Sequence, residues 1–123
     1  MLKKTITYTD YDGNKRTEDF YFNFNRAEVA EMELSYDGGL SKVIERVNAA
    51  QDTKTLVGIF KDLILKAYGV KSLDGKRFIK SEELSTEFSQ TEAYPILFME
   101  LATDAKVAAD FFNAVIPQQE DAK

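Results

Sequence analysis

Acidic and amide residues at alternate positions are the first feature of this chain that could do chemistry. Asp10-Tyr11-Asp12-Gly13-Asn14 opens like a calcium loop, in which side-chain oxygens at every second residue converge on a hard cation. The rest of the pattern departs from one. Its sixth position is Lys15 where glycine is needed, and its twelfth is Tyr21 where a bidentate glutamate is needed. The loop reads as a hairpin turn, and Asp74-Gly75 reads the same way. Two carboxylate pairs, Glu82 with Glu83 and Glu28 with Glu31, would serve as acid and base if burial split their pKa values. Each pair falls in the first turn or on the polar face of an expected helix, where interaction with the helix dipole accounts for it.

Gly38-Gly39 precedes a helical pattern without the lysine-threonine element of a P-loop or the glycine spacing of a dinucleotide fingerprint, so it reads as a helix break. Lys3-Lys4, Lys15-Arg16 and Lys76-Arg77 are dispersed and countered by nearby acids, unlike a phosphate track. Phe20, Phe22 and Phe24 at period two could stack bases, but without basic partners they read as the core face of a sheet. There is no cysteine and no histidine, which excludes disulfides, thiolate chemistry, Cys-ligated metals and the histidine-based triads. No cofactor is expected.

The elements that position these residues follow from periodicity. The chain has 123 residues, 44% of them hydrophobic and 30% charged, and a chain of this size can bury roughly two-thirds of its surface in one core. Its net charge of −5 opposes both a nucleic-acid duplex and an anionic membrane. The longest apolar run, Ala93 to Met99, is far short of the roughly 20 residues that span a bilayer, so neither membrane nor nucleic acid is an expected partner. Met1-Leu2-Lys3-Lys4 lacks the following apolar stretch of a signal peptide, and a soluble protein is expected.

Thr5–Thr9 and Thr17–Phe24 alternate as the strands of a β-hairpin, with Ile6, Tyr8, Phe20, Phe22 and Phe24 inward and Tyr21 on the opposite face. Asn25 and Glu28 form a capping box that opens a helix over Arg26–Leu34, with Ala27, Ala30 and Leu34 along its stripe and Val29 nearby. Leu40, Val43, Ile44, Val47 and Ala50 mark an amphipathic helix, and Asp52 caps another. Between Thr55 and Tyr68 the apolar residues cover most of a helix, which places it at the centre of the fold or at an oligomer interface. Gly69 fits a left-handed helix C-terminus, and Val70 to Ile79 form a small excursion readable as a second hairpin. Ser81 starts a short helix through Phe88. Ser89, Thr91 and Glu92 compete to cap the next helix, and Pro95 favours a start at Thr91 or later over one at Ser89. Thr103 or Asp104 caps a last helix bearing Val107, Phe111 and Val115. The expected class is α+β, mainly α: one domain over 1–123, with a hairpin at about 4–24, about five or six helices over 25–116, and a polar tail over 117–123.

Ile96, Leu97, Phe98 and Met99 cannot all face inward on one helix, and Phe111 and Phe112 lie on the terminal helix. This apolar surplus argues for a protein partner, with Ile96, Phe98, Met99, Phe111 and Phe112 as the expected contact residues.

Five blocks carry a family resemblance: Lys4 to Asn14, Thr17 to Asn23, Phe60 to Gly69, Asp74 to Ser81, and Thr91 to Asp104. In word and order they resemble the tail assembly chaperones of long-tailed phages and prophages of Gram-positive bacteria. The resemblance implies a non-enzymatic protein in the cytoplasm of the bacterial host. Such a protein binds the tape measure protein, keeps it soluble, helps recruit tail tube subunits and is absent from the mature virion. It also implies a longer frameshifted form of the chain as a possible partner, and it brings no catalytic residue. Two other readings stand beside it. One is a tail-completion or head-tail connector protein retained in the particle, and the other is a small carboxylate-dependent enzyme. The sequence leaves the oligomeric state open.

Overall fold

In the computed structural model of the chain, residues 1–35 and 53–116 are described, together with Lys42, Glu45 and Ala49. The expected helix through residues 40–50, the break at Gly38-Gly39, the cap at Asp52 and the polar tail over 117–123 lie outside the described residues.

Alternation makes the first two strands. β1 (Leu2–Thr9) and β2 (Lys15–Phe22) pair antiparallel with Thr5 opposite Asp19 and Thr7 opposite Thr17. Both strands extend past the expected Thr5 and Thr17 starts. Phe24 lies beyond β2 yet is buried, while Ile6, Tyr8, Phe20 and Phe22 form the buried face. On the other face Thr5 Oγ1 donates to Asp19 at 2.6 Å, and the Thr7 and Thr17 hydroxyls are 3.0 Å apart, so the polar rows pair across the strands.

The second hairpin is present and does more than expected. β3 (Tyr68–Lys71) and β4 (Phe78–Ile79) pair with each other, and β3 also pairs with β2, giving one sheet in the order β1-β2-β3-β4. The expectation of an isolated N-terminal hairpin is therefore corrected to a four-stranded antiparallel sheet. Gly69 is corrected too: it sits in β3, outside the left-handed region that Gly13 and Gly75 occupy. Its role is steric, because the Phe78 ring and the Ile79 carbonyl lie where a side chain would be.

Five helices have bounds among the described residues: α1 (Arg26–Ser35), α2 (Thr53–Ala67), α3 (Glu82–Ser89), α4 (Ala93–Thr103) and α5 (Ala105–Val115). The capping box forms as expected: Glu28 N–H donates to Asn25 Oδ1 and Asn25 N–H to Glu28 Oε1, both at 2.8 Å. Asn25→Ala is expected to cost about 1 kcal/mol in urea unfolding, with the loss of helical signal confined to α1. The stripe of α1 differs from the expected one. Ala27 and Ala30 are exposed, Leu34 is 88% exposed, and Val29, expected beside the stripe, turns toward the core together with Met32. Lys80 Nζ holds the start of this helix, 2.8 Å from Glu28 Oε2 and 4.7 Å from the centre of the Phe24 ring.

Among the described side chains of α2, Leu63, Ile64 and Ala67 are buried, Ile59, Phe60 and Leu65 are half-buried against the core, and Val57 and Gly58 are exposed. Ser81 caps α3 by accepting from Leu84 N–H, and Asp104 caps α5 by accepting from Lys106 and Val107 N–H. α4 begins at Ala93, so Pro95 falls in the first turn, where a missing N–H leaves no intrahelical bond unmade. Two helix ends are closed by the segment after β2: Asn23 N–H donates to the Ala67 carbonyl and Phe24 N–H to the Val115 carbonyl, both at 2.9 Å.

The core is strongly aromatic. Phe88 of α3 lies against Phe20 and Phe22, stacks on Tyr68 at 4.6 Å and meets Tyr94 edge-on at 5.8 Å. Phe111 of α5 meets Phe22 at 5.3 Å. Every buried side chain among the described residues is apolar.

Candidate functional site

The residues that could do chemistry are engaged in local structure. Asp10 organises the β1–β2 turn: Oδ1 accepts from Asp12 and Asn14 N–H and Oδ2 accepts from Arg16 Nε. The Arg16 hydrogen bond, then the backbone bonds, hold its carboxyl below the ordinary value of 3.8. A depressed folded pKa means stability present above that ordinary value and lost as pH falls through the folded one. The stability difference between wild type and Asp10→Asn, which keeps an acceptor but drops the charge, is expected to shrink over that window in thermal melts. Asp74 is held low in the same manner, first by Ser72 Oγ and then by the Lys76 amide.

Glu82 and Glu83 are exposed, Glu31 is exposed, and both oxygens of Glu28 are taken, by Asn25 and Lys80. Among the described residues no group of three acidic side chains is arranged to hold a metal ion, and no helix is long and apolar enough to cross a membrane. A groove of about 520 Å³ between α2 and α3 is lined by Asp62, Lys66, Ser81 and Ser85. Within it Lys66 lies 3.1 Å from Asp62, and Ser85 donates to the Leu65 carbonyl. Phe20, Phe22 and Phe24 are buried and cannot stack bases.

Part of the expected apolar set on α4 and α5 reaches solvent. Ala93, Leu97 and Leu101 form the buried stripe of α4 at i, i+4 and i+8. Ile96 is 45% exposed and Met99 54%. Of the four consecutive apolar residues only Leu97 is fully buried, as the surplus on one helix requires. Phe98 is half-buried beside Tyr94, with ring centres 5.9 Å apart, and Phe112 is half-buried against Phe60 at 5.4 Å. Phe111 is corrected: at 4% exposure it belongs to the core, because with Ala108 three residues before it and Val115 four after it lies on the buried stripe of α5 and meets Phe22.

Two exposed polar ties link α4 to the first hairpin. Glu92, Ile96 and Glu100 form one i, i+4, i+8 row. Tyr11 Oη donates to Glu92 at 2.8 Å, and Lys4 Nζ lies 3.1 Å from Glu100. Both ties come from the first hairpin, so Ile96, midway between them, lies alongside β1. Leu73, fully exposed at the tip of the β3–β4 turn, was not among the expected contact residues. An apolar residue between the turn formers Ser72 and Asp74 has no face to bury, and that signal was in the sequence.

Comparison with known proteins adds one finding. The family model described as phage tail assembly chaperone matches residues 1–123. Searches of curated proteins and of solved structures find no match. With the match running through the whole length, this chain belongs to the phage tail assembly chaperone family.

Proposed function

We propose that this protein is a non-enzymatic chaperone that binds the tape measure protein during tail morphogenesis, keeps it soluble and helps recruit tail tube subunits around it. The full-length family match carries the reading. The exposed apolar flank on α4 is consistent with it. A small acidic domain that covers an apolar stripe on a long client by many weak contacts gains avidity from repetition, and it can be displaced by subunits offering larger interfaces. The protein then acts in the host cytoplasm and leaves before the virion is complete, alone or with a longer frameshifted form of itself.

The client contacts are assigned to Ile96 and Met99, with Phe98 and Phe112 at the margin. The test is mass spectrometry of an affinity pull-down of the tagged chain from cells making phage, beside purified particles from the same culture. Tape measure or tube protein in the pull-down and absence from particles is the expected result. Fixed stoichiometry in the particles overturns it and makes the protein a structural component. Met99→Lys is expected to lower client recovery about tenfold, the ratio set by a loss of 1.4 kcal/mol, while the exposed position leaves folding stability within about 0.5 kcal/mol.

A further inference from the structure

Of the helices with described bounds, α1 is the one that buries no side chain completely. Val29 and Met32 are half-buried against the core, and Leu34 is left in solvent. Between α1 and α2 lies a void of about 250 Å³, lined by Glu28, Glu31, Met32 and Ser35 on one face of α1 and by Phe24 and Lys66 opposite them. Atoms that face a void have no dispersion partners there, so this seam holds the helix weakly. Few buried apolar contacts are the mark of a segment that opens before the rest of a protein does.

The N-terminal end of α1 is attached differently. The chain leading into it is fixed, because Asn23 and Phe24 N–H are bonded to the Ala67 and Val115 carbonyls and the Phe24 ring is buried. Asn25, the first residue past those bonds, is exposed. Rotation there moves the helix without disturbing the core. Beside it, Lys80 Nζ lies 2.8 Å from Glu28 Oε2, in a pair whose side chains are only 20% and 31% exposed. The same ammonium lies 4.7 Å from the centre of the Phe24 ring and 5.9 Å from that of Phe78. Charge-assisted bonds of this length are the strong ones, and this one ties α1 to the residue that follows β4.

We propose that α1 is a strap that opens as a unit, with Asn25 as its hinge and the Glu28–Lys80 pair as its catch. Release bares the Val29 and Met32 side of the helix and the Phe24 end of the void, while the sheet and α2 to α5 stay folded. The catch therefore controls access to apolar surface that the closed strap covers. Glu28 has two separate bonds: Oε1 accepts from Asn25 N–H in the capping box and Oε2 takes Lys80. Losing the second leaves the first, so freeing the strap does not uncap its helix. The inference stands without the client reading, because it concerns motion within the isolated chain.

Native-state amide exchange on the purified full chain tests it. A helix of ten residues is too short to persist in water off its support, so opening is read as lost protection from Ala30 to Ser35. These amides are expected to exchange at least about a hundredfold faster than the β1–β2 ladder, as a sub-global opening does. The rate should depend little on added urea, because the opening exposes little surface. Glu28→Gln keeps the capping acceptor, since glutamine serves in a capping box, and removes the charge that Lys80 meets. Lys80→Met keeps an apolar stem against the two rings and removes the ammonium. Each is expected to speed α1 exchange about tenfold, and the double variant no more than either alone, because both break one bond. If Lys80→Met does not fold, Glu28→Gln decides. Wild-type α1 amides as slow as the β1–β2 ladder overturn the proposal, since the helix then opens only with the whole molecule. Unchanged α1 exchange in either folded variant also overturns it, since the helix then frays with its catch closed.

Discussion

Phe88→Ala is expected to destabilise the protein by about 3–5 kcal/mol, the range for deleting a buried aromatic ring. Domains of this kind have about 5–15 kcal/mol in total, so the change removes a large share of it. The site has little means of collapsing. Among the described residues Phe88 is in ring contact with Phe20, Phe22, Tyr68 and Tyr94 together, and so joins β2, β3, α3 and α4. Deleting the ring leaves a void between a sheet and two helices tied to it by other bonds, and lost dispersion on every side adds to the transfer cost. Thermal unfolding is expected to move down by about 10–20 °C, on the scaling of a few degrees per kcal/mol for chains of this size. Phe88→Leu, which keeps most of the volume, is expected to recover about half of the loss. A shift under about 3 °C for Phe88→Ala would show that the aromatic cluster does not act as a unit.

Gly69→Ala is expected to cost about 1–3 kcal/mol, the range for forcing atoms into a filled site. A methyl at this position would sit 2.6 Å from Phe78 Cε2 and 2.8 Å from the Ile79 carbonyl oxygen. The ring can rotate, but the carbonyl is backbone of the strand pairing with β3, so relief requires β3 and β4 to separate. The damage is therefore local as well as global. Amide exchange at Val70 and Ile79 should accelerate by more than the global stability loss accounts for, whereas exchange in the β1–β2 ladder should follow global unfolding. Phe78→Ala in the same chain would remove the nearer obstacle. The double variant is expected to be less destabilised than the sum of the two singles, because the residues share one contact.

Gly69 also marks the boundary of what could be read in advance. A glycine after fifteen helical residues has the sequence context of a left-handed cap, and nothing within a few residues of it distinguishes that role from a close approach in a strand. The deciding atoms belong to Phe78 and Ile79, which reach Gly69 only after the Ser72–Lys76 turn brings β4 back. Phe111 is a similar case. Helical spacing put it on an apolar face together with Phe112, but spacing alone does not say which of two adjacent aromatics meets Phe22 and which lies half-open on Phe60.

Features whose causes span a few residues were legible in the order of the amino acids. These are the alternation that buries Ile6, Tyr8, Phe20 and Phe22, the Asn25–Glu28 capping box, the Ser81 and Asp104 caps, and the late start of α4 imposed by Pro95. A hydrogen bond to a neighbour three residues away, or a period of two, is complete within the segment that encodes it. The assembled fold was needed to show that β3 joins β2, that Leu34 and not Met32 is left open on α1, and that Ile96 and Met99 lie outside. Periodicity gives the apolar side of an element, but which of its residues loses contact with water depends on partners distant in sequence. Those partners are assembled only when the chain closes.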